Sequence, residues 1–142
     1  MAQQKSGPKI PFSIAQIFTW WSSLTVGTRV WTNRHGRYVG SDEFGNHYYR
    51  TGKIDPNLGF ERRWVIYSGE SDGSKTPPGW YGWLHHTTDV APTEETYTAR
   101  EWQKPYVPNM TGTAEAYRPE GSVLRSGHRQ KTGGDYGAWT PN

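Results

Sequence analysis

The residues best suited to chemistry fall in one short run, Pro77-Pro78-Gly79-Trp80-Tyr81-Gly82-Trp83-Leu84-His85-His86-Thr87-Thr88-Asp89. His85-His86 is the only adjacent histidine pair in the chain. A short helix is expected from about Trp80 to His86, after the stiff Pro77-Pro78 entry. Neighbours on a helix point in different directions, so the two rings cannot readily face one metal ion. Helical zinc signatures use spacings of three or four instead. Asp89 follows His85 by four positions, a spacing that puts both on one helix face within hydrogen-bonding reach. A carboxylate-oriented imidazole is part of an acid–base device, but no nucleophile stands in a recognisable context beside it. The pair therefore reads as structural, with histidine at a helix C-terminus or a His85–Asp89 tie. An acid–base enzyme built on those two residues remains the catalytic alternative.

Two further patterns invite a chemical reading. Gly69-Glu70-Ser71-Asp72-Gly73-Ser74-Lys75-Thr76 has the composition of a phosphate loop, but Ser74 stands where the loop signature needs Lys, so a surface loop is expected. Arg29, Arg34, Arg37, Arg50, Arg62 and Arg63 lie among Tyr and Trp, as they would on a sheet that binds single-stranded nucleic acid. Asp42, Glu43, Asp55 and Glu61 interrupt them, and the formal net charge is only +3. Arginine on aromatics is equally a mark of protein interfaces, and that reading is preferred. No catalytic, cofactor-binding or metal-ligating set emerges. With no cysteine, disulfides, thiolate metal sites and iron–sulfur ligation are excluded.

These residues must be positioned by a chain of 142 residues that is only 32% hydrophobic, with 17 Gly and 10 Pro. Aromatics, at 15%, supply much of the apolar area that aliphatic residues do not. The expected architecture is a small α+β fold: an antiparallel meander of three to four short strands, an N-terminal amphipathic helix, one short helix and a long irregular C-terminal arm. Ile10, Ile14, Ile17, Phe18, Trp21 and Leu24 follow a helical stripe, beginning near Pro11 and ending before Gly27. That stripe suits packing on a protein surface, because its polar face lacks the Lys and Arg of a lipid-docking helix. Strands are expected at Thr28–Trp31, Arg37–Gly40, His47–Arg50 and Arg63–Tyr67, separated by turn-forming Gly, Asn and Asp. Within the last strand, Trp64 and Ile66 should face the core and Arg63, Val65 and Tyr67 the other side.

Three regions follow: residues 1–26 as a flexible start and helix, 27–90 as the sheet domain, and 91–142 as an arm ordered by a partner. The expected structural core is Trp64, Ile66, Tyr67, Trp80 and Trp83, with His85 and Asp89 as its tie. The expected partner-binding residues are Trp102, Tyr106, Met110 and Tyr117 on the arm, with Phe18 and Trp21 on the N-terminal helix. No apolar run is long enough for a spanning helix, and no secretory leader is expected.

The order Gly36-Arg37-Tyr38-Val39-Gly40, Phe44-Gly45-Asn46-His47-Tyr48-Tyr49, Arg62-Arg63-Trp64-Val65-Ile66-Tyr67, Pro77-Pro78, Trp80, Trp83-Leu84-His85 and Thr88-Asp89-Val90 resembles one family. Thr98-Ala99-Arg100 and Asn109-Met110-Thr111-Gly112-Thr113 continue the likeness, which covers about residues 27–118. That family is a small accessory subunit of respiratory complex I, NADH:ubiquinone oxidoreductase, the twelfth subunit of the alpha subcomplex. The resemblance implies a non-catalytic subunit without a cofactor, on the peripheral arm near the junction of the NADH-oxidising and quinone-reducing modules. It implies the ferredoxin-like iron–sulfur subunit and a small zinc-binding subunit as partners, no nucleic acid, and membrane association through the complex. A paralogue in the family acts as an assembly factor, and the Thr-Gly-Thr segment and long arm are more similar to the resident subunit. The N-terminus lacks an Arg- and Ser-rich presequence, which favours a bacterial chain on the cytoplasmic side of the inner membrane over a mitochondrial matrix-side one.

Overall fold

A computed structural model describes residues 7–8, 10, 14–18, 24–95, 98, 100–119, 121–125, 127–128 and 139–141. The order of elements is helix α1 (Ala15–Phe18), helix α2 (Val26–His35), strands β1 (Arg37–Ser41), β2 (His47–Ile54) and β3 (Glu61–Ile66), and helix α3 (Pro78–Leu84). The three strands form one antiparallel sheet in the order β1-β2-β3. The fold is therefore small α+β with a three-stranded meander.

Residues Thr28–Trp31, expected as a strand, are helical. The cause is local: Thr25 stays extended and its hydroxyl accepts the Thr28 N–H at 3.2 Å, which caps the start of α2. Arg34 and His35 occupy the last turn, where positive charge complements the helix carbonyls. Of the expected stripe from Ile10 to Leu24, Ile17 and Phe18 lie in α1, Ile10, Ile14 and Leu24 lie outside any helix, and residues 11–13 and 19–23 fall outside the described residues. Trp21, expected on that stripe, lies outside the described residues.

The sheet is covered on both faces. Tyr48 and Tyr49 are adjacent on β2 and so point to opposite sides, yet they are only 0% and 4% exposed. Tyr48 packs with Trp80, Trp83 and Ala91, joined by Val39, Val65 and Leu84. Tyr49 packs with Leu24 and Ile66, joined by Ile10, Tyr38 and Trp64. Trp64 and Ile66 thus share a core face as expected, while Val65 has a core of its own on the reverse side. Gly40 allows the first layer to close, since a Cβ there would meet Thr93 at 2.6 Å and the Trp80 ring at 3.1 Å. The Trp64 indole N–H donates to Thr32 Oγ1 at 3.0 Å, tying α2 to β3.

The chain divides into two compact units, Met1–Pro108 and Asn109–Asn142. In the second, Asn109 Oδ1 accepts from the Thr111 backbone N–H and hydroxyl at 3.1 and 2.7 Å, and the Thr113 hydroxyl donates to the Met110 carbonyl at 2.7 Å. These bonds make Asn109–Thr113 a turn.

Candidate functional site: the aromatic knot and the surfaces around it

Pro78 opens α3 at a position where no backbone N–H is needed. Trp80 and Trp83, three apart, then face the sheet together. The Trp80 ring stacks on Tyr48 at 3.8 Å and 5°, and Trp83 meets Trp80 edge-on at 5.6 Å and 90°. Trp83 is fully buried. Truncation of either indole would cost about 3–5 kcal/mol, as core Trp→Ala changes do.

The Tyr48 hydroxyl, at the foot of this knot, donates to Asp42 Oδ2 at 2.8 Å. Burial, then the hydrogen bond and charge of Asp42, push that phenol far above its ordinary value. Asp42 also accepts from the Phe44 and Asn46 N–H groups at 3.0 and 2.8 Å and from the Asn46 side chain at 2.7 Å. Asn46, fully buried, donates in turn to the Lys75 carbonyl at 2.9 Å and accepts the Ser68 N–H at 3.0 Å. A carboxylate whose oxygens accept from turn and core donors in this way fixes the hairpin.

The two histidines diverge. The His85 ring lies against Tyr81 at 4.2 Å and the His86 ring against Phe60 at 4.5 Å. His86 adopts φ 57°, with its N–H on the Trp83 carbonyl at 3.2 Å and the Thr87 N–H on the Gly82 carbonyl at 2.9 Å. That pair of bonds ends α3 in the left-handed turn usually given to glycine. Among the described residues no group of three or more His, Asp or Glu could hold a metal ion.

The expected His85–Asp89 tie is replaced by another. Asp89 Oδ1 accepts from Arg63 Nη2 at 2.8 Å, while Arg63 Nη1 donates to the carbonyls of Trp83 at 2.7 Å and Thr88 at 3.0 Å. The guanidinium also lies 4.8 Å over the Trp83 ring. Arg63 competes better for Asp89 than a histidine because it carries a permanent charge and a fork of donors. His85 and Asp89 are both exposed, and Tyr67 is half-buried with its hydroxyl 3.3 Å from Thr76 Oγ1. The loop at Gly69–Thr76 holds a short 3-10 turn, Gly73–Lys75, capped by Asp72, with the Lys75 ammonium donating to the Glu70 carbonyl.

The residues expected to meet partners separate into three groups. Phe18, Trp102 and Tyr117 are 76%, 77% and 89% exposed. Met110 is half-buried within the second unit. Tyr106 instead belongs to the chain's own packing: its hydroxyl donates to the Ser74 carbonyl and its ring meets Phe44 edge-on at 6.2 Å. Sequence reading overlooked Trp31, Leu58 and Phe60, which are 45%, 45% and 46% exposed around a groove of about 800 Å3 at the end of α3. The expectation of a strand at Thr28–Trp31 hid Trp31, which on α2 lies on the same side as Arg34 and His35.

In this small α+β fold the polar groups of the knot bond to one another and to the backbone, while several large apolar side chains of the chain are exposed. The model of the family NADH ubiquinone oxidoreductase subunit NDUFA12 matches residues 36–141. The chain belongs to that family. It is 39% identical over 97 residues to bovine NADH dehydrogenase (ubiquinone) 1 alpha subcomplex subunit 12, covering 61% of this chain and 64% of the bovine one. The mouse protein of the same name is 37% identical over 106 residues, covering 67% and 70%. An uncharacterized protein of Rickettsia prowazekii is 46% identical over 54 residues, 38% of this chain and 54% of that one. The chain thus spans about two thirds of the length of the mammalian relatives.

Proposed function

We propose that the chain is a non-catalytic accessory subunit of respiratory complex I that stabilises or helps assemble the peripheral arm. Its position is near the junction of the NADH-oxidising and quinone-reducing modules, against the ferredoxin-like iron–sulfur subunit and the small zinc-binding subunit. In a bacterium this is the cytoplasmic side of the inner membrane; in a eukaryote it is the matrix side. Membrane association runs through the complex, a reading compatible with the lack, among the described residues, of a helix long and apolar enough to cross a membrane.

The observation that carries this reading is the family match over residues 36–141. The exposure of Phe18, Trp102 and Tyr117 supports it, because indole, phenol and phenyl rings of this kind are the anchors of protein interfaces. Affinity purification of the tagged full chain from detergent-solubilised membranes, followed by mass spectrometry, tests it. Stoichiometric recovery of NADH dehydrogenase subunits with the mature complex is expected. Their absence overturns the assignment, and recovery with immature subcomplexes alone points to the assembly-factor paralogue. Alanine at both Trp102 and Tyr117 should weaken retention by about 2 kcal/mol or more if both are hot spots.

A further inference from the structure

We propose that the surface formed by α2 and the β2–β3 hairpin docks an extended acidic segment of a partner polypeptide bearing apolar anchors. The proposal deepens the subunit reading and rests on it for the partner's identity alone.

Two hollows meet there. One, of about 500 Å3, is lined by Arg34, Arg37, Lys53 and Ile54; the other, of about 800 Å3, by Leu58, Phe60 and Leu84. Trp31 and Arg62 line both, so the surface is continuous. Its cations are unequal. Arg62 is held by Asp55 at 2.7 Å and Arg63 by Asp89 at 2.8 Å. No ion pair among the described residues involves Arg34, Arg37 or Lys53. Among the described residues the first hollow therefore presents three cations outside any ion pair, its acid Asp55 being taken by Arg62.

The fold holds one of these cations in place. Gly52 lies at φ 68°, and a Cβ there would sit 2.7 Å from Cδ, Nε and Cζ of Arg37. The missing side chain lets the Arg37 stem lie flat on β2, with its guanidinium at the hollow. Beside these charges Ile54 is 70% exposed and Leu58 45% exposed, on a hairpin whose own core does not need them. Apolar contacts interleaved with cations match a segment in which acidic and apolar residues alternate.

The same surface fits nucleic acid poorly. Base stacking needs open ring faces, but Trp31 already has His35 against it at 4.2 Å and Phe60 has His86 at 4.5 Å. Ile54 and Leu58 offer aliphatic area, which grips side chains and does not stack bases.

The test uses the full chain and a fluorescein-labelled peptide of about twelve residues alternating Glu with Leu and Ser, read by anisotropy. Micromolar-range binding is expected, weakening at least tenfold between about 0.05 and 0.3 M salt. The variant Arg34→Glu/Arg37→Glu/Lys53→Glu should lose at least tenfold in affinity. All three sites are exposed, and the milder Arg34→Gln/Lys53→Gln serves should the triple variant lose its circular-dichroism spectrum. Ile54→Ser should lose affinity without changing the salt slope, because it removes apolar area and adds no charge. No binding of the peptide, equal binding by the charge variants, or tighter binding of an oligothymidine of the same length each overturns the proposal. Retention of the charge variants in purified complex I is measured alongside: loss of the wild-type chain there refutes the subunit reading and leaves the peptide result standing.

Discussion

Replacing Arg63 and Asp89 one at a time separates the two halves of the clamp at the end of α3. The ion pair between them joins a side chain 8% exposed to one 89% exposed. Asp89→Ala removes an exposed carboxylate in a screened setting and should cost about 0–1 kcal/mol. Arg63→Met removes much more. The bond to the Trp83 carbonyl is made in a part-buried site, where a hydrogen bond to a charged group contributes about 1.5–3 kcal/mol. The bond to the exposed Thr88 carbonyl adds less, because water replaces it. The cation over Trp83 contributes about 0.5–2 kcal/mol. Against these stands Arg63 Nε, buried without an acceptor, whose removal returns about 1 kcal/mol or more. The net expectation is a loss of about 2–4 kcal/mol, or a fall in Tm on the order of 10–25 °C for a unit of this size. Urea unfolding of the full chain, followed by tryptophan fluorescence, measures both variants. Raising the salt to about 0.5 M should shrink the Asp89→Ala effect and leave that of Arg63→Met nearly unchanged. An Asp89→Ala loss as large as that of Arg63→Met would refute the reasoning, and so would an Arg63→Met loss below about 1 kcal/mol.

Asn46→Ala should cost about 2–4 kcal/mol in the same assay, because it orphans the Ser68 N–H and the Lys75 carbonyl and strips one donor from Asp42. Burial raises the phenols of both Tyr48 and Tyr49, so the folded chain holds these protons more tightly than the unfolded one. Their contribution to stability is complete below about pH 10 and is lost as the pH rises further. Tyr48→Phe should flatten that alkaline slope in part, with Tyr49 keeping the rest. In the wild type, absorbance titration should show Tyr48 ionising only with unfolding and Tyr49 above its ordinary value. His86→Gly should be neutral or stabilising by up to about 1 kcal/mol, since glycine adopts the left-handed conformation freely and only the Phe60 contact is lost; a loss above about 1 kcal/mol would show that the stack matters more than the backbone.

Local periodicity revealed β2, β3 and α3 because their aromatic and β-branched residues match their own element types. The same habit misread Thr28–Trp31: Val30 and Trp31 favour strands, but the Thr25 cap and the inward turn of Thr32 toward the Trp64 indole N–H decide the conformation. The knot at Trp80 and Trp83 was legible as structure, because two indoles three positions apart need only a helix to face the same way. Its tie was not legible. Arg63 and Asp89 are far apart in sequence, and nothing local distinguishes Arg63 as a partner from the nearer His85. The internal contacts of Tyr106 were illegible for the same reason: an aromatic in an irregular arm reads as free until the Ser74 carbonyl and the Phe44 ring are placed beside it.

Helix α2 carries the strongest argument that this molecule is completed by others. It buries Arg29 and Thr32 while leaving Val30 55% and Trp31 45% exposed. A chain selected for its own stability alone would gain by the opposite arrangement, since covering an apolar side chain contributes about 1.5–3 kcal/mol. Ile14, just before α1, and Ile17 and Phe18 within it are likewise exposed, at 73%, 55% and 76%. Single exposed hydrophobics are ordinary, but clustered ones are the mark of an interface. Exposing them in a protein only 32% hydrophobic withdraws area from an already small core. A partner surface that covered these side chains would recover that stability, and the chain would then be more stable in the assembly than alone.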